Sequence, residues 1–469
     1  MTAVTPTDRS GREGAVADVL APSGAQRGAS PRVSARARVS GVVVDDLQRA
    51  SADGACEISA RVRRHGAEER RLWWRFPQEF APAALDGSPF LAGVLMWAMR
   101  HGDDVTVDAP VSPRLLANID TITAIFNSLF PAERRRVAVR AEAGSPPPPT
   151  DVTGCYFTRG ADSWYAVLSA LEDDPQTPGL THLVFSPDFV SSLNSPELIR
   201  EKTEATRRAA QRTGMAFVEV ATNLKHDFGG AQLVSTALAL GFRRMLVPSG
   251  AMHGEIVRAT THPILDHRFS TERTEIVHYG DASRVDKIAR IARSQDALDT
   301  LRVCHYDGVR DDNCGRCEKC VRTMLELHVA GALDRAPTLP RPLDSTVVAN
   351  VRRKLGRRHQ WVHVLHLLND APQDRELAAA IRLVLARNDL DRAAELLRET
   401  ASEPSLGSLH PRLPSAVRRA GASTRLAGWV LDARPPGRIR APAQRVVEGL
   451  RESALAQRLR ARMGQRARH

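Results

Sequence analysis

Four cysteines crowd into one short stretch of the chain, spaced Cys304-x9-Cys314-x2-Cys317-x2-Cys320, out of six in 469 residues. No other feature narrows the outcome as much, because thiols at this spacing ask for a metal ion. Zinc takes four ligands in a tetrahedron, with sulfur at about 2.3 Å, and four thiolates fill it completely. Spacings of three put successive sulfurs on one side of a turn. The distant Cys304 closes the fourth corner. Cys304 is expected to end a short strand, "LRVC", and Cys317 to begin a helix. Gly315 relieves crowding between ligands, and Arg316, Lys319 and Arg322 can offset the negative charge of the site. A C-x2-C-x2-C run also serves iron–sulfur clusters, so iron stays open beside zinc. With no position left for water or substrate, the site reads as structural. Clustered thiols argue for a reducing compartment rather than a disulfide framework. There is no apolar leader-like segment near Met1 and no run of about 18 apolar residues. The expectation is a cytoplasmic protein with no membrane span.

The rest of the chain reads as five parts. Residues 1–40, rich in Gly, Ala, Ser, Pro and Arg without periodicity, are expected to be a disordered basic tail. Residues 41–145 read as a small α+β domain. Its strands are "SGVVVDDL", "CEISARVR", "RLWWRFP", "DVTVDAP" and "RRVAVRAEA". Its helices are opened by Ser88-Pro89 and by Ser112-Pro113. Trp73 and Trp74 are expected on the two sides of its sheet, and Cys56 buried in it. Four consecutive prolines, 146–149, exclude helix or central strand and mark a stiff linker at the main domain boundary. Over 151–335 strands and helices alternate as in an α/β parallel-sheet domain. "VTGCYF", "LTHLVFS", "MAFVEVAT" and "RRMLVPSG" are the strands, with Cys155 buried in the first. Helices begin near Ser163, Ser195, Gly229 and Ser283. Residues 336–400 carry a helical period, and 401–469 form an Arg-rich, partly disordered tail.

Charge follows the same division. The chain carries +12, of which the stretch 401–469 holds +10 and residues 1–40 hold +3. The body between them is at −1, so nucleic acid is not an expected partner of the folded part.

One turn stands out. "CYFTRGADSWYAVL" runs from a hydrophobic strand through Thr158-Arg159-Gly160-Ala161-Asp162-Ser163 into a helix. In a doubly wound sheet, ligands bind at the C-terminal ends of the strands, and a helix N-terminus there offers backbone N–H groups to an anion. Gly160 lets the backbone come close, and the hydroxyls of Thr158 and Ser163 add donors. As plain structure, the same residues suit a capped helix after a turn. The stretch resembles the S-G-G-x-D-S pyrophosphate loop of the N-type ATP pyrophosphatases. Thr158, Gly160, Asp162 and Ser163 match, and Arg159 stands where that family has its first glycine. Together with the four cysteines, the pattern over 151–330 is similar to the 7-cyano-7-deazaguanine synthase branch.

That resemblance implies a HUP-like (Rossmann-like) PP-loop domain binding ATP and Mg²⁺, beside a structural Zn²⁺. It implies adenylation of a small-molecule carboxylate or amide, with pyrophosphate released and ammonia or an amine as nucleophile. Residues 158–163 and Lys287, in "SRVDKIARIA", would hold the phosphates. Arg159, Asp162 and Lys287 would be catalytic, and Ser186 and Asp188 in "FSPDF" would stand near adenine and ribose. Arg284, one turn before Lys287, reads as a residue of an exposed helical face. His262, Asp266 and His267 read as polar loop residues on the substrate side. No glutaminase segment is evident, so the nitrogen source is expected from solution or from a partner. The roles open to 41–145 are substrate binding, formation of a homodimer and recruitment of a carrier protein. Two other classes stay open: a tRNA-modifying or nucleic-acid-binding zinc protein using the Arg-rich tail, and a non-catalytic ATP-binding scaffold.

Overall fold

The computed structural model describes residues 41–172, 179–189, 195–228, 231–252, 255, 261–304, 313–339, 343–351 and 357–402. The tail expected at 1–40, and that at 401–469 apart from Ala401 and Ser402, lie outside the described residues.

The first half builds one mixed sheet: β1 (Gly41–Ala52), β2 (Ala55–Arg64), β3 (Arg70–Pro77), helix α1 (Ser88–His101), β4 (Asp104–Val111), α2 (Pro113–Leu129) and β5 (Val139–Ala143). β1 and β2 pair antiparallel with Ala52 opposite Ala55, leaving a two-residue turn. Asp53 and Gly54 form it with φ of 53° and 73°, the left-handed pair that matches strand twist and that Asp-Gly adopts readily. Alternation along β2 buries Cys56, Ile58, Ala60 and Val62 on one face. Trp74 is buried and Trp73 half-buried, on opposite faces as expected.

The second half is β6 (Thr150–Tyr156), α3 (Ala161–Leu171), β7 (Leu180–Phe185), α4 (Pro196–Gln211), β8 (Ala216–Glu219), β9 (Ala221–Thr222), α5 (Leu224–Asp227), α6 (Gln232–Leu240), β10 (Phe242–Pro248), β11 (Glu275–Tyr279), α7 (Arg284–Ile291) and α8 (Gln295–Thr300). Five of its strands form a sheet in the order β11-β10-β6-β7-β8. All neighbours are parallel. The chain starts in the middle with β6, winds outward through β7 and β8, then returns to β10 on the other side. This is a Rossmann-like α/β arrangement, and the order reverses between β6 and β10.

Side chains on these strands alternate between two cores. Tyr156, Val184, Met245 and Val247 join the first half, with α1 and α6. Cys155, Leu183 and Leu246 join α3, α7 and the helical end: α9 (Glu318–Val329), α10 (Ser345–Ala349), α11 (Arg358–Leu367) and α12 (Pro372–Ser402). A parallel sheet covered on both faces must be hydrophobic on both, and these strands are. The helical end is thus a layer of the main fold, tied in by Trp361 Nε1 donating to Glu318 Oε1 at 2.9 Å and His328 against Asp374 at 2.7 Å.

Several expectations change. The proline run does pass between the two sheets, but residues on both sides of it share one core, and the described residues belong to one compact unit. "MAFVEVAT" is not one strand: it breaks at Val220, and β9 crosses to pair antiparallel with β3. "LRVC" is not a strand, because Leu301–Cys304 has no sheet neighbour. Strand β11 and helix α8 had no counterpart in the sequence reading. Helix α3 begins at Ala161, with Gly160 as its N-cap, so Asp162 and Ser163 lie in its first turn.

Trp74 joins the halves. Its ring meets Phe90 edge-on at 5.3 Å, and its Nε1 donates to Thr236 Oγ1 of α6 at 3.0 Å. Trp74→Ala should lower unfolding free energy by about 3–5 kcal/mol, read as a reduced urea midpoint. A loss under about 1 kcal/mol would mean that the shared core contributes little.

Candidate functional site

The hydrogen bonding of β6 continues one residue past its end, Phe157 N–H donating to Val184 O at 2.8 Å. The chain then turns over Thr158, Arg159 and Gly160. Ser163 Oγ donates to Gly160 O at 3.0 Å and accepts from Thr158 N at 3.4 Å. That hydroxyl holds the turn from inside and does not line the cavity it opens on. Arg159 has φ of 60°, a conformation costing a side-chain-bearing residue roughly 1–2 kcal/mol and open to glycine without that cost. Its guanidinium is buried, with Nε donating to Thr206 Oγ1 of α4 at 3.1 Å. The first-turn N–H groups of α3 at Ala161 and Asp162 have no intrahelical acceptor, and both residues line the cavity.

Lys287 of α7 reaches this turn. It is 3% exposed, with Nζ 3.1 Å from Asp162 Oδ1 and 2.5 Å from Ser249 O at the end of β10. Ser283 caps α7, accepting from Asp286 N at 3.2 Å, as its spacing implied. Arg284 departs from the expected exposed face: its side chain is 12% exposed. It binds Glu326 at 3.2 Å and Thr323 at 3.1 Å and stands 3.9 Å from Asp162. α9 packs over that face, and no local pattern announces it. Burial by itself would raise the Asp162 carboxyl, but Lys287 and Arg284 outweigh it and hold Asp162 below the usual range. Burial pushes Glu326 up against the pull of Arg284 and Arg322. Burial, then Arg284 and Arg322, push Lys319 down to about 8.

The other candidates fall elsewhere. Ser186 is buried with no hydrogen-bond partner, and Asp188 accepts from Thr222 N at 2.8 Å; neither lines the cavity, although Phe185 does. Asp266 is fully buried, accepting from His262 N at 3.0 Å and binding His278 Nδ1 at 2.6 Å. His278 Nε2 lies 2.8 Å from Ser249 Oγ. This Asp266–His278–Ser249 chain, which the sequence reading missed, supports the residue whose carbonyl holds Lys287. His267 binds Pro263 O at 3.0 Å. The segment therefore braces β11 through His278, and none of His262, Asp266 and His267 lines the cavity described below.

The four cysteine sulfurs all lie within 4.8 Å of one another. The Cys304–Cys317 and Cys314–Cys320 pairs are 3.9 and 3.8 Å apart. Four sulfurs around one tetrahedral ion at 2.3 Å stand about 3.8 Å apart. The group therefore fits one metal ion such as zinc. In an iron–sulfur cluster the thiolates are shared among several irons and spread further. A hydrogen bond with Cys320 lowers the Cys317 thiol to about 5, and the same bond raises Cys320. The backbone that carries Cys304 is held by Asn313, also missed. Its Oδ1 accepts from Val303 N at 2.8 Å and Cys304 N at 3.1 Å, and its Nδ2 donates to Leu301 O at 2.9 Å. One residue earlier, Arg302 N–H donates to Arg159 O at 3.0 Å. The cysteine arm and the turn after β6 are thus hydrogen-bonded neighbours.

Both features open on one cavity of about 660 Å³ at the C-terminal ends of β6, β7 and β10. Among the described residues it is lined by eight Lys and Arg side chains against three carboxylates. Gln232, Leu233 and Met252 form a less polar part of the wall, and Cys304 reaches it too. No family model, curated protein or solved structure matches the chain.

Purified protein should carry one metal ion per chain by elemental analysis, and Cys317→Ser should lose it with a lower thermal midpoint. Asp162 should contribute stability that is complete above the ordinary carboxylate pKa and lost as pH falls through its depressed value. Asp162→Asn should remove that part of the acid dependence of the urea midpoint.

Proposed function

We propose that the chain is an ATP-dependent, AMP-forming ligase of the PP-loop kind, joining a nitrogen nucleophile to an acid substrate. The observation carrying this reading is the turn Thr158–Asp162, placed where the strand order reverses and bordered by Lys287 in a cavity rich in cations. Helix N-termini at such points suit phosphate. In this reading the N–H groups at the start of α3, with Thr158, hold the β- and γ-phosphates. Lys287 and Arg159 neutralise charge on the leaving pyrophosphate. Gln232, Leu233 and Met252 take the adenine in place of the expected Ser186 and Asp188. Asp162, on the cavity wall with its side chain 34% exposed, is the carboxylate that fits Mg²⁺, which would supply charge neutralisation between phosphates.

The chemistry balances in two displacements. A substrate carboxylate oxygen attacks the α-phosphorus, the bond from that phosphorus to the α,β-bridging oxygen breaks, and pyrophosphate leaves with the bonding pair. The nitrogen lone pair then attacks the activated acyl carbon, AMP leaves with the bonding pair, and the nitrogen loses a proton to solvent. The cysteines hold a structural zinc ion, which the closed four-thiolate set favours. A reducing, cytoplasmic setting suits those thiols. The acid and the amine come as small molecules.

The test is pyrophosphate release from Mg·ATP with a panel of carboxylic acids and ammonia. Lys287→Met should lower the rate about 10²–10³-fold while leaving metal content unchanged. ATP bound without pyrophosphate release from any acid would leave a nucleotide-binding scaffold instead.

A further inference from the structure

The cavity wall has two origins. The turn after β6 and α7 supply Arg159 and Lys287, the cations that the nucleotide reading uses. The helical end supplies a second group: Lys319 and Arg322 from α9 and Arg357 beside α11, with His359 and His363 alongside. A triphosphate partly neutralised by Mg²⁺ does not call for all of these charges. Arg322 is 5% exposed, and its Nε and one Nη are buried without a hydrogen-bond partner. Glu318 at 3.1 Å and Glu326 at 3.8 Å balance its charge without accepting in line. Repulsion from Arg284 and Arg357 acts on the same guanidinium. Arg357 pairs with Glu255, and on this part of the wall Lys319, Arg322 and Arg357 still outnumber Glu318 and Glu255, a positive excess that suits an anionic oxygen.

We propose that this cavity takes, beside the nucleotide, an acid with a second anionic group, held by Arg322, Lys319 and Arg357. The proposal rests on the ligase reading and narrows its substrate class. One carboxylate is activated; the other anionic group, carboxylate or phosphate, docks against α9 and sets specificity. Guanidinium and ammonium together serve either oxygen set.

Full-length protein saturated with the Mg²⁺ complex of a β,γ-imido ATP analogue would be titrated with inorganic phosphate and, separately, with malonate, by calorimetry. One further equivalent of anion should bind, and Arg322→Ala and Lys319→Met should each weaken it at least 10-fold with nucleotide affinity unchanged. Stronger binding of phosphate would mark a phosphorylated acid, and of malonate a dicarboxylate. Unchanged metal content certifies that each variant is folded, and Lys319→Met carries the test if Arg322→Ala is not. No second anion on the nucleotide-saturated protein, or variants that weaken nucleotide instead, would overturn the proposal. If no nucleotide binds, the ligase reading fails by itself. Phosphate binding to the free protein that Lys319→Met abolishes would still uphold the subsite, and binding that is absent or unaffected by it would end the subsite too.

Discussion

A buried ammonium organises this molecule. Lys287 is almost wholly removed from water, and an ion there persists only with charge and hydrogen-bond partners. Its two partners, Asp162 and the carbonyl of Ser249, lie on the turns after β6 and β10. One side chain therefore fixes both lips of the crevice where the sheet reverses direction, and anchors α7 to them. Asp162 and Glu326 then carry the pairing on through Arg284 to α9.

The cysteine cluster adds a second, shorter linkage. Asn313 gives the Cys304 segment the hydrogen bonds that a sheet neighbour would have supplied. Arg302 passes that order to the backbone of Arg159. A bound metal ion would restrain the Cys304 segment from one side and the start of α9 from the other. Both border the cavity, so an ion held there would bear on the shape of the place where chemistry is proposed.

What the sequence showed was local. Hydrophobic strand, glycine, acid and serine in succession gave the turn after β6, and even spacing gave the cysteine group. Lys287 was reached through resemblance and stands beside the turn. Arg284 was misread because a helical period says which residues share a face, but not that α9, some 35–40 residues on, covers it. β11 is five residues with a glutamate and a histidine, too short and polar to declare itself. β9, two residues long, exists only because β3 is there to receive it. Lys319 and Arg322 were expected beside the cysteine group, and only packing sets them, with Arg357, on the wall of the cavity.

β9 has a practical consequence. The proline run invites the experimenter to divide the chain there, and the division would strip β3 of the neighbour that closes its sheet. A truncated first half would present a bare edge, a template on which other copies could add strands. Its apolar inner face, cut off from α6, would lie open beside that edge. Fragments made this way are expected to precipitate, and the chain is best handled with both sheets intact.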